Sequence, residues 1–211
     1  MRQGLQKMFL LSGVALVMGG CGNASAEVED QMETLEESSI QQDLQTLINY
    51  EDQLQEDFET SLEGEDLSNF ADSSAEVFTN VDERSAILEN LRETTSTHES
   101  VNQELQEITF QEDEAEIEET VSSISENLGS INGTMESFIP QYEEVLDAER
   151  SYYNSLGESS ADYEDFNEGL ETVNEQHESL DEHYRSLNES LTNLEENKNH
   201  AFELLSREDE S

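Results

Sequence analysis

The stretch YEDFNEGLETVNEQHESLDEHYRSLNESLTNLEENKNHAFELL, residues 163–205, decides the fold class. A three-and-four step runs through it without a break: Tyr163, Phe166, Leu170, Val173, His177, Leu180, Tyr184, Leu187, Leu191, Leu194, Lys198, Ala201 and Leu205. Steps averaging 3.5 residues place these side chains in one narrow stripe along a helix. Such a stripe is the seam of a left-handed coiled coil or bundle.

Residues 117–156 repeat the pattern through Ile117, Val121, Ile124, Leu128, Ile131, Met135, Phe138, Tyr142, Val145, Glu149, Tyr152 and Leu156. Upstream the seam is looser (Leu67, Phe70, Val77, Val81, Leu88, Leu91, Leu105, Ile108), and looser again from Met32 to Leu62. Helix ends with acidic or hydroxyl capping residues are expected at 63–66, 109–112 and 156–159. They divide the chain into four helical segments, the longer ones reaching about 65 Å at 1.5 Å per residue. Short connections make neighbours antiparallel, so the predicted fold is all-α, an elongated up-and-down four-helix bundle over residues 28–207. A three-helix, spectrin-like bundle is the competing arrangement. Pro140 is expected to kink the third helix, aided by Gly129 and Gly133.

The N-terminus is of another kind. Arg2 and Lys7 precede an apolar run from Met8 to Met18, then Gly19-Gly20-Cys21. The run is too short to span a bilayer stably, and small residues before a cysteine suit a signal peptidase. Residues 1–20 therefore read as a lipoprotein signal peptide, Cys21 as the lipidated first residue, and 22–27 as a tether. That places the protein on the outer face of the cytoplasmic membrane.

The formal net charge is −45. Such acidity excludes direct nucleic-acid binding, which needs clustered Lys and Arg. It also argues against an electrostatic grip on anionic lipid or anionic wall polymers. A single cysteine rules out an intramolecular disulfide and any multi-thiolate metal site within one chain. Self-repulsion should weaken the compact state, and salt should relieve it.

No catalytic pattern emerges. His98-Glu99 and His177-Glu178 begin HExxH, but Asn102 and Asp181 stand where the second histidine belongs. Thr95, Asn174, Leu180 and Asn197 stand three residues before the four histidines, so no ExxH exists. Calcium loops, glycine-rich phosphate loops and GxSxG elbows are absent, and no metal, cofactor or enzymatic activity is expected. The informative polar residues lie on the seam. A hairpin near Gly157 sets Tyr142 opposite His177, Glu149 near Leu170, and Val121 near Lys198. His98 and Asn102 then fall at the Lys198 level. These five polar seam positions, His98, Asn102, Glu149, His177 and Lys198, read as register devices or as a small polar site. At the other end gather Phe58, Phe70, Tyr152, Tyr153, Tyr163 and Phe166. Five fit the seam, while Tyr153 lies one step off it and is expected to be exposed. Tyr152, Tyr153 and Gly157 are thus the candidate envelope contact.

Several stretches carry a family resemblance: the cysteine site at Cys21, Val81-Asp82-Glu83-Arg84 with Leu88-Glu89, and Tyr142 with Glu149-Arg150-Ser151-Tyr152-Tyr153-Asn154-Ser155-Leu156. Val173-Asn174 and the tail from Leu187-Asn188 through Lys198 to Ala201-Phe202 complete the set. The chain resembles the YkyA-type cell-wall-binding lipoproteins of low-GC Gram-positive bacteria. The resemblance implies an anchored, extracytoplasmic helical bundle that contacts the envelope, more firmly than it implies any one ligand. That family is typically lysine-rich, whereas Lys198 is the only lysine here after Cys21. The expected partners are the membrane, through lipid on Cys21, and either peptidoglycan or a surface protein. An accessory or sensory subunit docking on another membrane or surface protein is the alternative. A divalent-cation buffer is a third reading, resting on charge alone.

Overall fold

The computed structural model describes residues 24–62, 68–71, 73–158, 161 and 163–208. Among these the order is α1 (Ala24–Glu37), α2 (Ile40–Ser61), α3 (Ser68–Ala71), α4 (Glu76–Glu107), α5 (Ala115–Leu156), α6 (Tyr163–Glu178) and α7 (Asp181–Glu208), with no strand. Two pairs of helices act as interrupted rods, α1 with α2 and α6 with α7. The result is four long helical segments packed up and down. The central segment is α5, which packs against α4 on one side and α6 and α7 on the other. Helix α4 packs on α1 and α2, and α1 meets α7, which closes the bundle.

The seam of α5 is buried at all twelve predicted positions. The 42 residues of this helix span about 63 Å. It runs through Pro140 without interruption, and Pro140 lies on its exposed side. The seam of the last segment is only partly covered. Val173, Leu180, Leu187, Leu194, Lys198, Ala201 and Leu205 are buried, but Phe166, His177, Tyr184 and Leu191 are half-buried and Leu170 is 40% exposed. Here α6 stands off from α2, so the stripe that the period predicts is left half-open.

The α6–α7 interruption escapes the heptad reading because the three-and-four step continues across it (His177, Leu180, Tyr184), whereas at α1–α2 the step from Leu35 to Ile40 is five residues. Between α1 and α2, Ser39 caps the second helix: extended at φ −101°, its side chain accepts a bond from the Gln42 N–H. Such a cap is worth about 1 kcal/mol. Between α6 and α7, Ser179 Oγ donates to Gln176 O at 2.6 Å and accepts from Gln141 Nε2 of α5 at 2.7 Å. Helix also begins earlier than expected. Ala24 and Ser25 are helical and buried, so the tether expected over 22–27 is in part the first turn of α1. The signal peptide, Cys21 and the turn around Gly64 lie outside the described residues.

Candidate functional site

About two-thirds of the way from the N-terminal end of the bundle, all four segments contribute to one buried polar layer. Arg84 of α4 and Glu149 of α5 are both fully buried and face each other as a bidentate pair. Arg84 Nη1 donates to Glu149 Oε1 at 3.0 Å, and Nη2 donates to Oε2. Two parallel bonds between planar groups give the strongest geometry available to an ion pair. Arg84 also donates from Nε to Asn80 Oδ1 at 2.7 Å and from Nη1 to Tyr142 Oη at 3.3 Å. Asn80 in turn donates to Tyr50 O at 2.8 Å and Asp57 Oδ2 at 2.7 Å, both on α2. The last segment joins through His177, whose Nε2 lies 2.6 Å from Glu149 Oε1. Finally, the hydroxyls of Tyr142 and Tyr184 donate to Glu51 Oε1 at 2.6 and 2.9 Å.

The electrostatics follow from burial and pairing. Burial alone would push the Glu149 carboxyl up. The His177 bond and the Arg84 charge outweigh it and hold the group below the ordinary carboxylate range. Burial likewise works against the Arg84 guanidinium, but Glu149 raises it further. Burial and the neighbouring Glu51 push Tyr142 up. The layer is thus a fixed arrangement of one buried cation, one buried anion and satisfied hydroxyls.

Beside this layer opens a groove of about 470 Å³ between α2 and α6, floored by α5. Glu51, Leu54, Gln55, Phe58 and Glu59 of α2 form one wall. Leu170, Val173, Asn174 and His177 of α6 form the other, over Tyr152 and Tyr153. Phe58 stacks over Tyr152 with ring centroids 6.3 Å apart and interplanar angle 17°, and sits 6.1 Å from Tyr153. Close packing sets this floor: a Cβ on Gly169 would lie 2.2 Å from the Tyr152 ring. Burial pushes the Tyr152 hydroxyl up to about 12, and that hydroxyl donates to Phe166 O at 3.2 Å.

The predicted site residues divide. Tyr142 does face His177, with ring centroids 6.5 Å apart. Glu149, expected near Leu170, bonds His177 instead. Helical side chains lean toward their own N-terminus, so on antiparallel helices these two lean toward each other across one heptad. His98 is buried, with Nε2 2.8 Å from Ser38 O, and lies within electrostatic reach of Lys198. Lys198 donates to Glu195 Oε2 at 3.3 Å. Asn102 turns away from both, and its Oδ1 accepts from Ser125 Oγ of α5 and from Gln106 Nε2 at 3.1 Å. No joint site forms at that level.

The expectation that Tyr153 is exposed is corrected. It is 2% exposed, because the start of α4 brings Phe78 onto its ring at 6.0 Å. Gly157 is half-buried and packed tightly on one side. A Cβ there would come within 2.4 Å of the Ala71 backbone nitrogen. The aromatic end is therefore a packed floor with a groove above it, and not an exposed tip.

Arg84, named from the sequence only within the stretch that carries the family resemblance, and Glu51 and Asn80 were not singled out as site residues. The first two left a signal. Each fills a seven-residue gap in the looser seams, Arg84 between Val81 and Leu88, and Glu51 between Leu47 and Leu54. A charged residue on the seam opposite another of opposite sign is the mark of a buried pair.

The family model described as "YkyA: Putative cell-wall binding lipoprotein" matches residues 23–204. No curated protein and no solved structure gives a significant match.

Proposed function

This chain belongs to the YkyA family, and we propose that it is a non-catalytic bundle, lipid-anchored through Cys21, that binds the cell wall at its far end. The observation that carries the reading is the position and lining of the α2–α6 groove. It lies toward the end of the bundle opposite Ala24, the first described residue after Cys21, so a membrane anchor would hold it outward. An apolar aromatic floor with amide and carboxylate walls is the chemistry of a site for polar wall components. The buried Arg84–Glu149 pair supports a positioning role, holding four segments in one register beneath the groove.

The test is sedimentation of the processed protein, extracted in mild detergent, with peptidoglycan sacculi stripped of teichoic acid. Tyr153→Ala is unsuitable because it would empty the core. Leu170→Asn removes the exposed apolar rim and leaves the buried side chains in place. Co-sedimentation of the wild type, lost in Leu170→Asn with unchanged helicity, is expected. No co-sedimentation at any salt or magnesium level would refute wall binding. A single discrete partner after crosslinking would then support docking on a surface protein.

A further inference from the structure

The groove faces two carboxylates that no basic side chain of its own lining neutralises. The chain after Cys21 carries Arg84, Arg92, Arg150, Arg185, Arg207 and Lys198, and none of them lines the groove. Its one imidazole, His177, is already engaged at Nε2 by Glu149. Glu51 is only partly exposed. Both tyrosine hydroxyls end on its Oε1, and the His177 Nδ1 contact at 3.9 Å is to that oxygen too. Its second oxygen keeps its acceptor capacity. Glu59 sits eight residues further along α2, about 12 Å away, and accepts from Gln55 Nε2 at 2.9 Å. Between the two lie Leu54 and Phe58, with Leu170 opposite.

We propose that this groove receives an aliphatic primary amine carried by a peptide, a side chain of lysine type. Its methylenes lie on Phe58, Leu54 and Leu170, and its ammonium ends at Glu51. A long amine stem spans about half the distance between the carboxylates, which leaves Glu59 to meet the peptide's own N–H groups. The apolar floor matches the stem, the carboxylate matches the head, and a half-enclosed site makes the pair stronger than one in open water. The acidity of the whole chain works in the same direction, concentrating cations at the cleft and repelling phosphate-bearing polymers. The proposal rests on the wall-binding reading only for the source of the peptide.

The probe is acetyl-Ala-Lys-Ala amide, titrated into the processed protein at 0.15 M NaCl and compared with the same peptide acetylated at Nε. Saturable binding of the free amine is expected, at least tenfold weaker for the acetylated form. Glu51→Gln/Glu59→Gln should lose about tenfold, while the amide oxygen introduced at position 51 still accepts from both tyrosines. Glu126→Gln/Glu196→Gln removes the same charge from exposed positions away from the groove and should stay within twofold of wild type. Should the first double variant fold poorly, Glu59→Gln alone should lose about threefold. Equal binding of both peptides, or equal loss in both double variants, would overturn the proposal and leave diffuse charge attraction. Sacculi separate the two readings. Sacculi bound equally before and after N-acetylation keep wall binding and sink the amine. Peptide binding without sacculus binding keeps the amine and sinks the wall, and binding of neither sinks both.

Discussion

Replacing Arg84 by Met leaves Glu149 fully buried with His177 as its remaining strong partner and leaves Asn80 Oδ1 without its donor. Removing one member of a buried ion pair costs about 3–5 kcal/mol, because the surviving charge has lost both water and counter-charge. A helical bundle of this size is stable by roughly 5–15 kcal/mol, so the loss is a large fraction of the whole. At about 2–4 °C per kcal/mol, a loss near 4 kcal/mol lowers the melting temperature by about 8–16 °C. Removing both charges, as Arg84→Met/Glu149→Leu, abolishes the uncompensated charge and fills the layer with apolar volume. That variant is expected to recover at least about 2 kcal/mol relative to the sum of the single changes. Urea unfolding followed by far-UV circular dichroism measures all four proteins of the cycle. A single Arg84→Met costing less than about 1 kcal/mol, or strict additivity in the double variant, would refute the idea that the pair acts as one buried unit.

Other expectations come from the same layer and its surroundings. The Glu149 carboxyl is held below its unfolded value, so its contribution is full above about pH 4.3 and disappears as pH falls through the folded value; Glu149→Gln should flatten that acid limb of the unfolding profile. Burial, with the Lys198 charge, also holds His98 below its ordinary value despite the bond to Ser38 O. Its contribution is therefore present above about pH 6.5 and declines as pH falls, so His98→Gln should lessen the loss of melting temperature between pH 6.5 and 5. Adding NaCl from 0.05 to 0.5 M should raise the melting temperature by screening 53 acidic against eight basic residues, and a flat or falling curve would count against self-repulsion. Gly157→Ala should destabilise, because its Cβ would strike the Ala71 backbone. Gly133→Ala has open space around it inside a helix and should stabilise by about 0.8–1 kcal/mol in the same unfolding assay.

The all-α architecture was legible in the sequence because a seam of period 3.5 is a local property. Every apolar step from Ile117 to Leu156 reports the same helix face, and that face is buried along its length. The antiparallel register was legible too, since a short turn leaves little freedom, and Tyr142 meets His177 as expected. What the chain did not reveal locally was the partner of each polar seam residue. Glu149 could have been a register device alone. It is the counter-ion of Arg84, 65 residues away. The exposure of Tyr153 was misjudged for a related reason, because Phe78 at the start of α4, 75 residues away in sequence, covers it, and helical phase in α5 holds no record of that. Ser179 breaks the last segment through a cross-helix bond that hydrophobic spacing cannot detect, while at the Ser39 cap the spacing from Leu35 to Ile40 lengthens to five residues. Sequence by itself determined the helices, their directions and the acidity of the surface, since these depend on neighbours a few residues apart. Only the tertiary structure decided that α6 stands away from α2 and opens a groove beside a buried ion pair, because that spacing is set by packing among three segments at once.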